Sequence, residues 1–256
     1  MIRTTMGPDV CRSFVENYKM TTLNKSKVVI AGGSSGIGAV LTKMLAADGA
    51  DITVIGRDAD KLAVLKKTLP SIETVALDAR DRGALDGFFS THREIDHLVL
   101  TLSGGKGGGA FRELSLQELR EGFDSKFWPQ LNVLQAALSY MKPDGSVTLV
   151  TAASAGAALP GTSGLAAING ALEIMIPILS AELKPLRVNA VSPGMIDTPW
   201  WDFLPATAKE KVFSDFSTGV HVGRVGHPEE VAGTIQHVMS NGYINGVTIR
   251  CHGGIS

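Results

Sequence analysis

The sequence is short of cysteine, has no excess of one charge and carries no long apolar run. Only Cys11 and Cys251 occur among 256 residues. Two distant cysteines supply neither a disulfide framework nor zinc-ligand spacing, and they fit a reducing compartment. The 24 Lys and Arg side chains nearly balance the 25 Asp and Glu, leaving a net charge of -1. No basic stripe of the kind a nucleic-acid partner requires is legible. No run of about 18 apolar residues suggests a membrane span. The opening segment, MIRTTMGPDVCRSFVENYKM, lacks an apolar stretch long enough for a signal peptide. The expectation is a cytoplasmic protein whose partner is a small molecule, not nucleic acid or membrane. His92, His97, His221, His227, His237 and His252 are scattered, so no metal site is expected. No Ser-His-Asp arrangement is legible.

What is present is apolar material for a sizeable core, 44% of the residues, arranged in alternating units. Short apolar runs at 28–30, 52–55, 74–77, 97–102, 146–151, 186–191 and 247–249 read as strands. Helical spacing fills the gaps, notably at 36–47, 58–68, 116–141 and 165–183. Strands alternating with helices imply right-handed βαβ units and a sheet covered on both faces. The predicted fold is α/β: a Rossmann-type, doubly wound three-layer sandwich around a mostly parallel, seven-stranded sheet. Residues 1–26 read as a tail or short extra helix, and 27–256 as a single domain. The run Gly104–Gly109 reads as a loop beside a site.

The strongest local signal is Ala31-Gly32-Gly33-Ser34-Ser35-Gly36-Ile37-Gly38, which follows a strand and opens a helix. That context suits a phosphate-binding turn. Gly32 permits the sharp turn, Gly36 lets the backbone approach a pyrophosphate, and Gly38 lets helix and strand pack closely. The helix N-terminus offers free N–H groups and partial positive charge to an anion. The second strand ends at Gly56-Arg57-Asp58. Arg57 suits a ribose 2′-phosphate, hence NADP(H), with hydroxyl contacts from Ser34 and Ser35. Asp58 leaves a competing reading open. It either pairs with a solvated Arg57 or meets a ribose 2′-OH, the NAD(H) arrangement.

With these residues in place the sequence resembles the short-chain dehydrogenase/reductase family over residues 27–256. GGSSGIG at 32–38 is similar to the family's glycine motif, and Leu77-Asp78 to its adenine-contacting acidic position. Arg187-Val188-Asn189-Ala190-Val191-Ser192-Pro193-Gly194 resembles its sixth-strand motif. Thr198 matches the threonine that holds the nicotinamide carboxamide. Arg224, Pro228-Glu229-Glu230-Val231-Ala232 and Gly253-Gly254 follow its C-terminal pattern. The resemblance implies further cofactor contacts at Ala79, Ser103, Gly104, Pro193, Gly194 and Ile196. It also implies a homodimer or homotetramer built through the helices at about 116–141 and 165–183.

The family's mechanism, by the same resemblance, uses a Tyr phenol, a Lys four residues later, a Ser and an Asn. Here the Tyr position is Leu165 and the Lys position Asn169. The Ser position falls at Ala153, one residue before Ser154, and the Asn position at Lys126. Lys and Asn stand exchanged, and the stretches FDSKFW and AAIN resemble an atypical subset of the family. Three readings follow. Lys126 donates the proton or stabilises a carbonyl oxygen, assisted by Ser154 or Thr151, with Asn169 in the same pocket. Or the acceptor is an activated alkene, iminium or quinone-like group that needs little protein acid. Or redox activity is lost and cofactor binding remains. The plain alternatives are a solvated helix lysine at 126 and a backbone-satisfied helix asparagine at 169.

After Pro193-Gly194 come Pro199-Trp200-Trp201-Asp202-Phe203-Leu204, then Phe213 and Phe216. These aromatics, joined by Trp128, read either as a lid over an apolar or aromatic substrate or as a core or oligomer contact.

Overall fold

The computed structural model describes residues 22–255. Seven strands form one sheet: β1 (Lys27–Ala31), β2 (Asp51–Gly56), β3 (Glu73–Ala76), β4 (Ile95–Leu100), β5 (Met141–Val150), β6 (Arg187–Pro193) and β7 (Thr248–Cys251). Their order is β3-β2-β1-β4-β5-β6-β7, and every pairing is parallel. The eight α-helices of the described residues are α1 (Gly36–Ala47), α2 (Ala59–Thr68), α3 (Arg82–Thr91), α4 (Leu116–Gly122), α5 (Trp128–Ala137), α6 (Ser163–Glu182), α7 (Ala206–Thr218) and α8 (Pro228–Ser240).

The alternation of side chains along a strand divides the core in two. On β1, Val28 and Ile30 join Leu41 and Leu45 of α1 and Val231 and Ile235 of α8 on one face. Val29 and Ala31 face the other way, toward Phe89 of α3, Val133 of α5 and Leu172 of α6. Both faces are covered, which is why the strands read as continuous β-branched runs. The chain winds from β1 outward to β3 and returns to β4 beside β1. That reversal opens a crevice beyond the strands' C-terminal ends, where such folds take ligands.

The opposite rim, at the strand N-termini, carries a buried polar group. His97 of β4 and Ser146 of β5 share a 2.7 Å hydrogen bond. Beside them Arg187 of β6 donates to the carbonyls of Val238, Met239 and Ile244. Asp96 accepts from Lys142 at 2.7 Å.

The single helix expected over 116–141 is four pieces. After α4 comes a π-turn, Phe123–Phe127, in which the Trp128 N–H reaches back to the Phe123 carbonyl. Then come α5 and a 3₁₀ turn, Leu138–Tyr140, and β5 begins at Met141. Pro129 stands in the first turn of α5. It has no N–H to donate four residues back, so the regular ladder cannot run through this point. Residue 1–21 of the expected tail lie outside the described residues; Leu23 is buried against the β1–α1 side of the core.

By length and composition α6, with mean hydropathy 1.6, is apolar enough to cross a membrane, a run the sequence reading did not single out. Here it packs on the sheet through Ile168, Leu172 and Ile176, and carries Asn169, Glu173 and Pro177 within its length.

Candidate active site

The crevice holds one cavity of about 610 Å³, within the range of ligand sites. The glycine turn forms its floor. Gly32 and Gly36 have φ of +88° and +51°, a region open to glycine. A Cβ on Gly38 would sit 2.5 Å from the Gly32 carbonyl oxygen and 2.6 Å from Thr101 Oγ1. Thr101 Oγ1 donates to the Ala31 carbonyl, so that wall is braced. Gly38→Ala is therefore expected to destabilise the fold by about 1–3 kcal/mol. Thermal melts check this, and an unchanged midpoint would contradict the close packing. At the start of α1 the Ser35 side chain makes no capping bond, which leaves the first N–H groups free for an anion.

At one end of the cavity stand Ser34, Arg57, Asp78 and Ala79. The Asp58 side chain bonds within its own helix. Its carboxylate caps α2 by accepting from the Lys61 N–H at 3.0 Å and lies 3.6 Å from Lys61 Nζ. The Lys61 backbone bond holds this carboxyl below the usual range. Arg57 is exposed and donates no hydrogen bond to any described residue. Its guanidinium is free, with Lys61 and Arg80 also lining this end. Asp78 is gripped by Arg80 at 2.5–3.0 Å, which lowers its carboxyl.

Along the sheet edge, Ser103 and Gly104 line the cavity, and Gly104 lies directly against Ser125 of the π-turn. From the end of β6, Pro193, Gly194, Ile196 and Thr198 line the far wall. Thr198 faces the glycine turn, 3.6 Å from where a Gly36 side chain would begin. Ser35, Ile37, Gly32 and Gly38 complete the floor.

The π-turn aims Lys126 inward. The residue is only 7% exposed, and its Nζ donates to the Thr151 carbonyl at 3.1 Å. Burial pushes its pKa down to about 8, with the Glu173 charge opposing the shift. Ser154 lines the cavity beside it, and Asn169 Nδ2 donates to Ser154 Oγ at 3.2 Å and to the Leu165 carbonyl at 2.9 Å. Ala153, the counted serine position, is buried in the same single turn. Lys126 and Asn169 thus share a wall but bond to different partners. Among the described residues no tyrosine lines the cavity: Tyr140 stacks on Phe89 and Tyr243 is fully exposed.

The Asn169 Oδ1 atom is buried and has no hydrogen-bond partner. An unpartnered acceptor beside a cavity fits a hydroxyl-bearing ligand such as a ribose. With the free α1 N-terminus and the free Arg57, the residues present fit a dinucleotide.

The substrate side is apolar. Leu159, Leu165, Trp200, Trp201, Phe216 and Ile255 line it. The expected aromatic lid needs correction, because Trp128, Phe203 and Phe213 do not line the cavity. Trp128 is half exposed and packs edge-on to Phe127. Phe213 braces Trp201 from behind at 5.7 Å, and Phe203 packs on Trp200. Trp201 is pinned by its Nε1 donating to the Ile196 carbonyl. Sequence reasoning did not single out Glu173, which accepts from the Thr151 and Ser192 hydroxyls. The available signal was a carboxylate in the middle of a largely apolar helix.

Residues 31–256 match the family described as enoyl-(acyl carrier protein) reductase. A 3-oxoacyl-(acyl-carrier-protein) reductase of Thermotoga maritima is 31% identical, with 89% of this chain and 96% of that protein aligned. A small-chain dehydrogenase solved in complex with NADPH superposes with a TM-score of 0.79 at 27% identity, over 91% of this chain and 99% of that one. A short-chain dehydrogenase/reductase from Brucella melitensis superposes with a TM-score of 0.84 at 25% identity, over 93% and 99%. Glycine turn, strand order, cavity and relatives agree, and the chain belongs to the short-chain dehydrogenase/reductase family of oxidoreductases.

Proposed function

We propose that this protein is an NADP(H)-dependent oxidoreductase of an atypical branch of its family. It interconverts a small apolar or aromatic carbonyl compound and its alcohol, or reduces an activated alkene, and Lys126 supplies the proton. The observation that carries this reading is the buried Lys126 ammonium at the cavity wall, where the phenol position holds Leu165. The dinucleotide, when bound, supplies the hydride. The α1 N-terminus, Ser34 and Ser35 would hold its phosphates, Arg57 its 2′-phosphate, and Asn169 a ribose hydroxyl.

In reduction, Lys126 donates a proton to the oxygen as negative charge develops on it, and the Ser154 hydroxyl donates a hydrogen bond to the same oxygen. The aromatic and aliphatic wall excludes water, which strengthens both interactions. In the reverse direction the neutral amine takes the alcohol proton. The same reading includes a homodimer or homotetramer, supported by the exposed Ile174 and Ile178 on α6.

Cofactor choice is tested by titrating NADPH and NADH fluorescence. A single charge-assisted contact is worth about 1.5–3 kcal/mol. Arg57→Ala is thus expected to weaken NADPH by about 10–100-fold and leave NADH nearly unchanged. Equal losses for the two cofactors would remove Arg57 from 2′-phosphate recognition. The activity itself is tested by NADPH consumption with a panel of aromatic aldehydes, ketones and enones. The absence of a cavity-lining tyrosine among the described residues favours a second reading, a dinucleotide-binding protein without redox turnover. Tight NADPH binding without consumption on any acceptor would select it.

A further inference from the structure

Lys126 is held by a chain of contacts that begins one turn along α6 from Asn169. Glu173 Oε1 accepts from Thr151 Oγ1 at 2.7 Å and from Ser192 Oγ at 2.8 Å. Thr151 follows the end of β5, and Ser192 lies near the end of β6. Both hydroxyl residues are 2% exposed. One carboxylate oxygen therefore ties together two neighbouring strand ends. The Thr151 carbonyl, on the residue so gripped, is the acceptor for Lys126 Nζ at 3.1 Å.

Glu173 also supplies the charge that answers the ammonium. Asp124, on Lys126's own turn, is exposed and acts on Arg80. Lys106, in the neighbouring loop, is paired with Glu118 of α4. Lys142 and Asp144 of β5 and Arg187 of β6 act on His97 at the other end of the sheet, and α5 carries no charged residue. Glu173 of α6 is the only charge among the described residues whose field registers at Lys126.

We propose that Glu173 is a positioning residue for Lys126. Through the two hydroxyls it grips, it fixes the Thr151 carbonyl against the ammonium and balances the buried positive charge. This gives a function to a carboxylate that the cavity does not expose. Its importance to turnover rests on the reading of Lys126 as the proton donor. The geometric claim does not, so its test reads the amine itself.

The experiment is acetylation of the intact protein by N-acetylsuccinimide at a series of pH values, with the Lys126 peptide quantified by mass spectrometry. The rate rises as the amine loses its proton. Glu173→Gln keeps an oxygen that accepts both hydroxyls and removes the charge. Its midpoint is expected about one pH unit below that of the parent, with labelling at pH 7 about fivefold faster. Glu173→Asp retains the charge and is expected to return most of the shift. Ser192→Ala is a mild change that leaves the carboxylate one donor short and less shielded. It is expected to move the midpoint upward, and it decides the matter if the Gln variant does not fold. An unmoved midpoint in a folded Glu173→Gln variant, or equal shifts for Gln and Asp, overturns the proposal. Absence of NADPH turnover together with the expected midpoint shifts would sink only the role assigned to Lys126 in reduction.

Discussion

Lys126→Met is expected to lower NADPH consumption with an aromatic aldehyde by about 100-fold or more, the usual contribution of a positioned acid. Methionine keeps most of the buried stem and removes the charge, the proton and the hydrogen bond to the Thr151 carbonyl. NADPH affinity, read by fluorescence, is expected to stay within a few-fold of the parent, because the proposed role of Lys126 is toward the substrate oxygen and not the phosphates. The pH profile separates an acid from a spectator. Burial brings the Lys126 pKa to about 8, and reduction needs the protonated form. The parental rate therefore falls as pH rises through about 8, and oxidation of the alcohol rises over the same interval. The variant's residual rate has no such limb. A variant that keeps most of its rate, or loses rate only in step with cofactor affinity, would remove Lys126 from the reaction.

The second large effect concerns stability. His97 is 6% exposed, and burial, the dominant cause, lowers its pKa from 6.5 to about 4; nearby Asp96 opposes the shift and Arg187 adds to it. The folded chain therefore holds this ring neutral while the unfolded chain protonates it. Between pH 6.5 and 4 the unfolded state binds more protons, so stability rises with pH through this window. The contribution is complete above pH 6.5 and is lost on acidification. The loss is about 2 kcal/mol at pH 5 and about 3 kcal/mol below pH 4. In a domain of this size 2 kcal/mol corresponds to about 4–8 °C. Thermal midpoints at pH 7 and pH 5 are expected to differ by about that much more in the parent than in His97→Gln. The carboxylates whose pKa values are lowered, such as Asp58, Asp78 and Asp96, titrate below this interval and contribute little to the difference. Equal acid shifts in the two proteins would show that the buried ring does not govern acid sensitivity.

The sheet and the glycine turn were legible because each rests on short-range chemistry. β-Branched runs mark strands buried on both faces, Gly36 stands where the backbone turns to positive φ, and Gly38 stands where a side chain has no room. The break in the helix over 116–141 was less legible. Its period stays helical across the π-turn, and only Pro129 signals that the hydrogen-bond ladder fails. Where the Asp58 carboxylate bonds was also hard to read, because it caps α2 rather than pairing with Arg57. The three-residue spacing to Lys61 carries that signal, but the sequence does not say how the side chain turns. Lys126, Ser154 and Asn169 come together in one wall as their positions imply. Their partners do not follow from sequence, because the Lys126 bond runs to a backbone carbonyl. The role of Glu173 was hidden for a related reason. Its two hydroxyl donors, at the ends of β5 and β6, are 22 and 19 residues away in the chain.

The buried histidine and the cavity stand at opposite ends of the same strands. Four residues along β4 separate His97 from Thr101, a span of about 13 Å. The fold thus keeps separate accounts for endurance and for reactivity. Substitutions around His97, Ser146 and Arg187 can adapt the protein to an acidic setting without entering the chemistry, and the cavity rim can be remodelled for new substrates while that lower girdle stays unchanged.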